Sequence, residues 1–274
     1  MGSSNSWSDV QAPPARTGAG TRMSGLLGEV PAGGARLGPS PGDGAHPGEA
    51  VAGGAVWPGV GAVRPRRRWR GRGSGSTACQ RAGPGPYSGG VSLTGWTEGR
   101  ARELLAPLGA RWSHTRGVAG QARRLGTALR LAEADVLVAA GYLHDIGYAP
   151  ELVVSGFHPL DGARYLADLG ERRLACLVAH HSAADEEAQV LGLDAELAQF
   201  PAEDSDLSPM LDYCDLTVGP TGQRLRPDER LAEILTRYGQ GDPVAVATRR
   251  AWPRLEARLS GIEERLENGG RQPG

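Results

Sequence analysis

Lysine is missing, and every basic side chain of the 274-residue chain is arginine. That absence excludes Schiff-base chemistry and the phosphate loop that depends on a lysine. Cysteine is scarce: Cys79, Cys176 and Cys214 are far apart and make no CxxC pair. Such spacing suits neither a disulfide framework nor a cysteine zinc site, and it fits a reducing compartment. No apolar run is long enough to span a bilayer and no signal-peptide pattern opens the chain, so a cytoplasmic location is the expectation. Period-two alternation is almost wholly lacking, which leaves little basis for half-buried strands. A formal charge of -1 argues against a dedicated nucleic-acid binder.

What the chain does have is unevenly distributed. Roughly a third of residues 1–94 are Gly or Pro without a collagen-like period, which places this part in the low-complexity range. Too few large apolar side chains are present to offset the entropy of ordering it, and it is expected to be disordered. Within it RPRRRWRGRG (64–73) is a basic arm able to attract RNA, DNA or anionic lipid, with Trp69 available to stack. The plainer and favoured reading of that arm is a solvated tail, or translated sequence upstream of a natural start. From 95 to 274, Leu, Ala and Val recur at helical spacing, enough for one domain with a single core.

The spacing predicts a short leading helix over 97–106, capped by Thr97 and ended by Pro107 and Gly109. His114, Val118, Ala122 and Leu125 then share one helix face, with Arg111 on the same side. A helix from about 132 carries an apolar run to His144 and Asp145, with Gly147 and Pro150 as its stop. His158-Pro159 opens another helix that runs to Gly170, and residues 171–181 form the next, ending in His180 and His181. Residues 182–205 read as a loop with a short helix. Helices over 208–216, 227–238 and about 243–267 complete the chain, the last with a kink at Pro253. The predicted architecture is all-α, a bundle of six to eight helices.

Five of the six histidines fall between His114 and His181, each at an end or on an inward face of a predicted helix. A lone histidine on an apolar face is more often a core hydrogen-bonder than a ligand. Clustering shifts the balance, because imidazole and carboxylate are what borderline divalent metals prefer and helical bundles assemble such sites from facing helices. Adjacent helical residues diverge by about 100°, so His144 and Asp145 straddle a seam rather than share a row. A buried acid such as Asp145 needs a partner, and cations supply one. Asp212, one helical turn before Asp215, competes with it for an acidic role and otherwise reads as a solvated residue.

The ordered set of His114, His144-Asp145 within LHDIG, and Asp215 within YCDLTVGPTG resembles the signature of the HD-domain superfamily of metal-dependent phosphohydrolases. The resemblance covers about 111–239 and implies an HD-type helical domain over 95–274. In it His114, His144, Asp145 and Asp215 hold a divalent metal, with Asp145 and His144 as catalytic residues. HPLDG at His158 and AHH at His180-His181 are similar to the two-metal branches, where matching histidines complete a second ion. Spacing leaves open which of His180 and His181 binds. SAADEE (182–187) stands where the cyclic-dinucleotide phosphodiesterases carry a GYP-containing stretch, a departure from that subgroup.

The resemblance implies hydrolysis of a phosphate ester or anhydride, on a nucleotide or related small phosphoester, by metal-activated water. One or two ions of Fe, Mn, Zn, Ni or Co are the expected cofactor. Arg111, Arg224 and Arg226 are candidates to fork onto substrate phosphate, and equally plain surface arginines. The partners expected are a small phosphorylated substrate and no membrane, with nucleic acid entering only through the arm 64–73. Two alternatives stand beside this one: a di-iron oxygenase of the same fold, and a non-catalytic module that senses a nucleotide or metal. Nothing in the sequence sets the oligomeric state.

Overall fold

The computed structural model describes residues 90–269. Expectations for residues 1–89, including the low-complexity segment and the basic arm 64–73, lie outside the described residues. Among the described residues there are ten α-helices and no strands, apart from one isolated antiparallel bridge between Val218 and Arg224. The all-helical expectation holds. The number exceeds six to eight partly because 182–205 carries two helices instead of one.

Helix α1 spans Leu93–Leu105, and it begins at Leu93 rather than Thr97 because the Ser92 side chain accepts the Gly95 N–H at 3.1 Å. An N-terminal serine of this kind satisfies one of the orphan donors of the first turn. Leu93 and Thr94 therefore lie in the helical part, not in the preceding segment. After the Ala106–Leu108 turn come α2 (Ala110–Ala128) and α3 (Ala134–Leu143). These two pack together along their lengths, with Val118, Ala119, Ala122, Leu137 and Ala140 essentially inaccessible. Next are α4 (His158–Asp168) and α5 (Arg172–Ala179), a second packed pair. The remaining helices are α6 (Ala184–Leu191), α7 (Asp194–Leu197), α8 (Leu207–Leu216), α9 (Pro227–Tyr238) and α10 (Pro243–Gly269). The last runs as one 27-residue helix with Pro253 inside it, and it packs on α6, α8 and α9.

Two local devices fix the start of α4. A Cβ on Gly147 would lie 2.1 Å from the His158 carbonyl oxygen and 2.7 Å from Gly162 N, so only glycine lets the turn Ile146–Tyr148 lie against α4. The buried Asp161 carboxylate accepts the N–H groups of Val154, Ser155 and Gly156 at 2.9 to 3.1 Å, and also the Ser155 hydroxyl at 2.8 Å. The loop before α4 is thus tied to the first turn of that helix. Of the cysteines, Cys214 on α8 is free and buried. No helix among the described residues is long and apolar enough to cross a membrane.

Candidate metal centre

Five helices deliver the imidazoles and acids to one place. His114 comes from the first half of α2, and His144 and Asp145 from the C-terminal end of α3. His158 opens α4, His181 follows α5, and Asp215 lies in the last turn of α8. Two overlapping groups result, His114 with His144 and Asp145, and Asp145 with His158 and His181. Within each, the donor atoms lie within 4.8 Å of one another.

Tautomers follow from the hydrogen bonds. The Nδ1–H of His114 donates to Gly219 O at 3.2 Å, that of His144 to Gly141 O at 2.9 Å, and that of His181 to Val178 O at 2.6 Å. With Nδ1 protonated, a neutral imidazole presents a lone pair at Nε2. The Nε2 atoms of His114 and His144 are only 3.3 Å apart, as are those of His158 and His181. Lone pairs facing each other at that distance repel unless a cation or proton lies between them. Asp145 joins the two pairs: its Oδ2 lies 3.3 Å from His144 Nε2 and 3.7 Å from His114 Nε2, and its Oδ1 lies 3.4 Å from His158 Nε2. Asp215 Oδ1 adds a further oxygen 3.0 Å from His114 Nε2. This donor set, all imidazole and carboxylate, fits a divalent cation.

Electrostatics follow the same geometry. Burial alone would raise the Asp145 carboxyl, but the Arg111 guanidinium, bonded to its Oδ2 at 2.6 Å, and His144 outweigh that and hold it well below the usual range. Asp215 is likewise buried, and it is held well below that range by its close contact with the His114 ring and by the nearby His144 and Arg230. Burial pushes His114, His158 and His181 down towards the neutral, metal-binding form. At His144 burial opposes protonation, yet Asp145 carries the balance upward.

A cavity opens beside the cluster, lined by Arg111, Tyr148, Glu187, Arg230, Arg237 and Tyr238 together with Asp145, His158 and His181. Arg111 is held rigidly, with its guanidinium 3.9 Å above the Tyr148 ring, which in turn stacks on His158 at 4.1 Å. Glu233 grips the other two arginines, accepting from Arg230 Nη1 and lying 3.2 Å from Arg237 Nε.

The structure therefore brings Arg111, His114, His144, Asp145, His158, His181 and Asp215 together. It does not bring in three other candidates. His180 turns away and donates its Nε2–H to Phe200 O at 2.5 Å, so of the two adjacent histidines only His181 reaches the cluster. Arg224 is exposed where it bridges to Val218, near Tyr213. Arg226 is exposed at the start of α9 and pairs with Asp228 at 2.8 Å.

Three residues at the site were not singled out from the sequence. Arg230 and Arg237 share a face of α9 with Ile234, and that i, i+4, i+7 spacing was a readable signal. Ser182 had none. It adopts φ 56°, its N–H donates to Asp212 Oδ1 at 2.6 Å, and its hydroxyl donates to Asp215 Oδ2 at 2.5 Å. Asp212 itself is fully buried and paired with Arg258 at 2.7 Å, not solvated as expected.

No curated protein and no solved structure matches the chain significantly. A family model does match, and it is that of the HD domain, over residues 111–236. The matched segment begins at Arg111 and ends within α9, and so takes in every element that supplies the cluster. Residues 111–236 therefore form an HD domain, the domain shared by a superfamily of metal-dependent phosphohydrolases.

Proposed function

We propose that the protein hydrolyses a small phosphate ester or anhydride with a divalent-cation centre held by His114, His144, Asp145, His158, His181 and Asp215. One observation carries this reading. Two imidazole pairs bring their Nε2 atoms within 3.3 Å of each other on either side of Asp145, next to a cavity lined by three arginines. Bound there, a divalent cation would neutralise the buried carboxylates, lower the pKa of water and screen charge on phosphoryl oxygens. Asp145 presents one oxygen to each group and thus serves both, and Ser182 orients Asp215. Arg111, Arg230 and Arg237 orient the phosphoryl group, each already fixed by a neighbour so that little side-chain entropy is lost on binding. Residues that select the rest of the substrate line the same cavity from α6, α9 and α10.

Elemental analysis of protein purified without added metal, coupled to a phosphate-release screen over nucleotides and simple phosphomonoesters, tests the proposal. The expected result is a transition metal bound by wild type, lost together with phosphate release in Asp145→Ala. Metal-free wild type, or Asp145→Ala with full metal and turnover, overturns it. Loss of substrate under oxygen without phosphate release would place the chemistry with the oxygenases instead.

A further inference from the structure

Glu187 stands out among the charged side chains that line the cavity. Asp145 and Asp215 accept hydrogen bonds, and the arginines are held by carboxylates or by Tyr148. The carboxyl of Glu187, on α6, makes no hydrogen bond or ion pair with any described residue, although it shares the lining with Asp145, His158 and His181. Asp242, just ahead of α10, and the Tyr148 phenol are its electrostatic neighbours. Arg254 of α10 is committed to Asp185, and Arg237 of α9 is held by Glu233. A carboxyl left without a cation and facing a second acid keeps its proton more readily. Burial, with Asp242 adding to it, pushes Glu187 up to about 7.

Cleavage of an unactivated phosphoester leaves an alkoxide that must be protonated as it departs. Other candidates in the cavity are ill suited to give that proton. Arginine holds its protons past pH 12. Under the proposed function the histidines turn Nε2 to the cation and spend Nδ1–H on carbonyls in three of the four cases. The Ser182 hydroxyl is given to Asp215, and burial pushes the Tyr148 phenol well above its usual value. Resting on the hydrolase reading, we propose that Glu187 is the catalytic general acid of this site, its carboxyl handing a proton to the leaving-group oxygen. Water oxygen bonds to phosphorus and the bond from phosphorus to the ester oxygen breaks. The freed electron pair takes the Glu187 proton, giving an alcohol. The proton shed by the attacking water restores the carboxyl through solvent, so ester and water become alcohol and phosphate.

Metal-replete full-length wild type, Glu187→Gln and Glu187→Asp are compared on ethyl phosphate, whose leaving group needs a proton, and on para-nitrophenyl phosphate, whose leaving group does not. Glu187→Gln is expected to lose about 10²-fold or more in kcat on ethyl phosphate, and at least ten times less on the nitrophenyl ester. Glu187→Asp, still a proton donor, retains more ethyl phosphate turnover than Glu187→Gln. In wild type, ethyl phosphate turnover falls as pH rises past about 7, and Glu187→Gln lacks that limb. Equal losses on both esters, or an unchanged limb, overturn the assignment. Should Glu187→Gln melt early, Glu187→Asp carries the same ester comparison. Wild type that binds metal yet cleaves neither ester brings down the hydrolase reading itself, and the general acid with it.

Discussion

At His180 the chain leaves α5 with φ -117° and ψ 16°, and two residues later Ser182 enters the left-handed region. These departures from helical geometry send His181 into the cluster and His180 towards Phe200. A helical wheel cannot anticipate that division, since neither residue is on the helix any longer. His181→Ala is expected to weaken metal binding at least 10-fold, in the range seen when support for a ligand is lost. His180→Ala should leave metal content unchanged and cost about 1 kcal/mol of stability, the worth of one hydrogen bond. Elemental analysis after dialysis and urea unfolding separate the two. Asp212 gives a second prediction at this scale. Burial raises its carboxyl to about 6 despite the Ser182 N–H and Arg258. A carboxyl whose folded pKa exceeds the unfolded one, near 4, contributes stability that is full below pH 4 and lost as pH rises through 6. The loss is on the order of 2–3 kcal/mol. Asp212→Asn does not titrate, so its stability relative to wild type should improve by that order between pH 4.5 and 7 in urea titrations. A constant difference would refute the assignment.

At the scale of elements, the joint between the Ile146–Tyr148 turn and α4 places Asp145 and His158 side by side. Gly147→Ala puts a methyl group 2.1 Å from a backbone oxygen and 2.7 Å from a backbone nitrogen, neither of which can rotate away. The turn and α4 must separate, which should cost about 3 kcal/mol or more and move His158 away from Asp145. A lowered melting temperature together with reduced metal content would show it, whereas stability loss with full metal content would place the damage elsewhere. The sequence reads Gly147 only as a helix stop, because a stop and a close contact leave the same letter. Helices α3, α4, α8 and α9 are legible from caps, prolines and apolar spacing. The start of α1 is not, since it hangs on Ser92, and neither are α6 and α7, whose few turns are stabilised by neighbours, α6 by α10 and α7 by α6, rather than by their own pattern.

For the whole molecule, the order His114, His144-Asp145, Asp215 is legible along the chain, but their convergence is a property of packing among α2, α3 and α8. Arg224 and Arg226 show the limit of reading charge without packing: both are near the site in sequence and exposed in space, while Arg230, four residues on, is buried 3.6 Å from Asp215. Convergence also sets a cost. Six groups from five helices point lone pairs or negative charge at a shared centre, so the fold without a cation carries repulsion that the hydrophobic core must offset. Any ligand that binds only the folded state stabilises it, by about 2.7 kcal/mol when present at 100 times its dissociation constant. For a domain of this size, 1 kcal/mol moves the melting temperature by roughly 2–4 °C. Chelated protein should therefore melt roughly 5–10 °C below metal-replete protein in calorimetry, with the gap closed on adding the metal back. Acidification should shrink the gap, because His114, His158 and His181 must be neutral to bind and protons compete for the same Nε2 atoms. His180→Ala should show the same gap as wild type and Asp145→Ala none, since Asp145 alone faces both imidazole pairs.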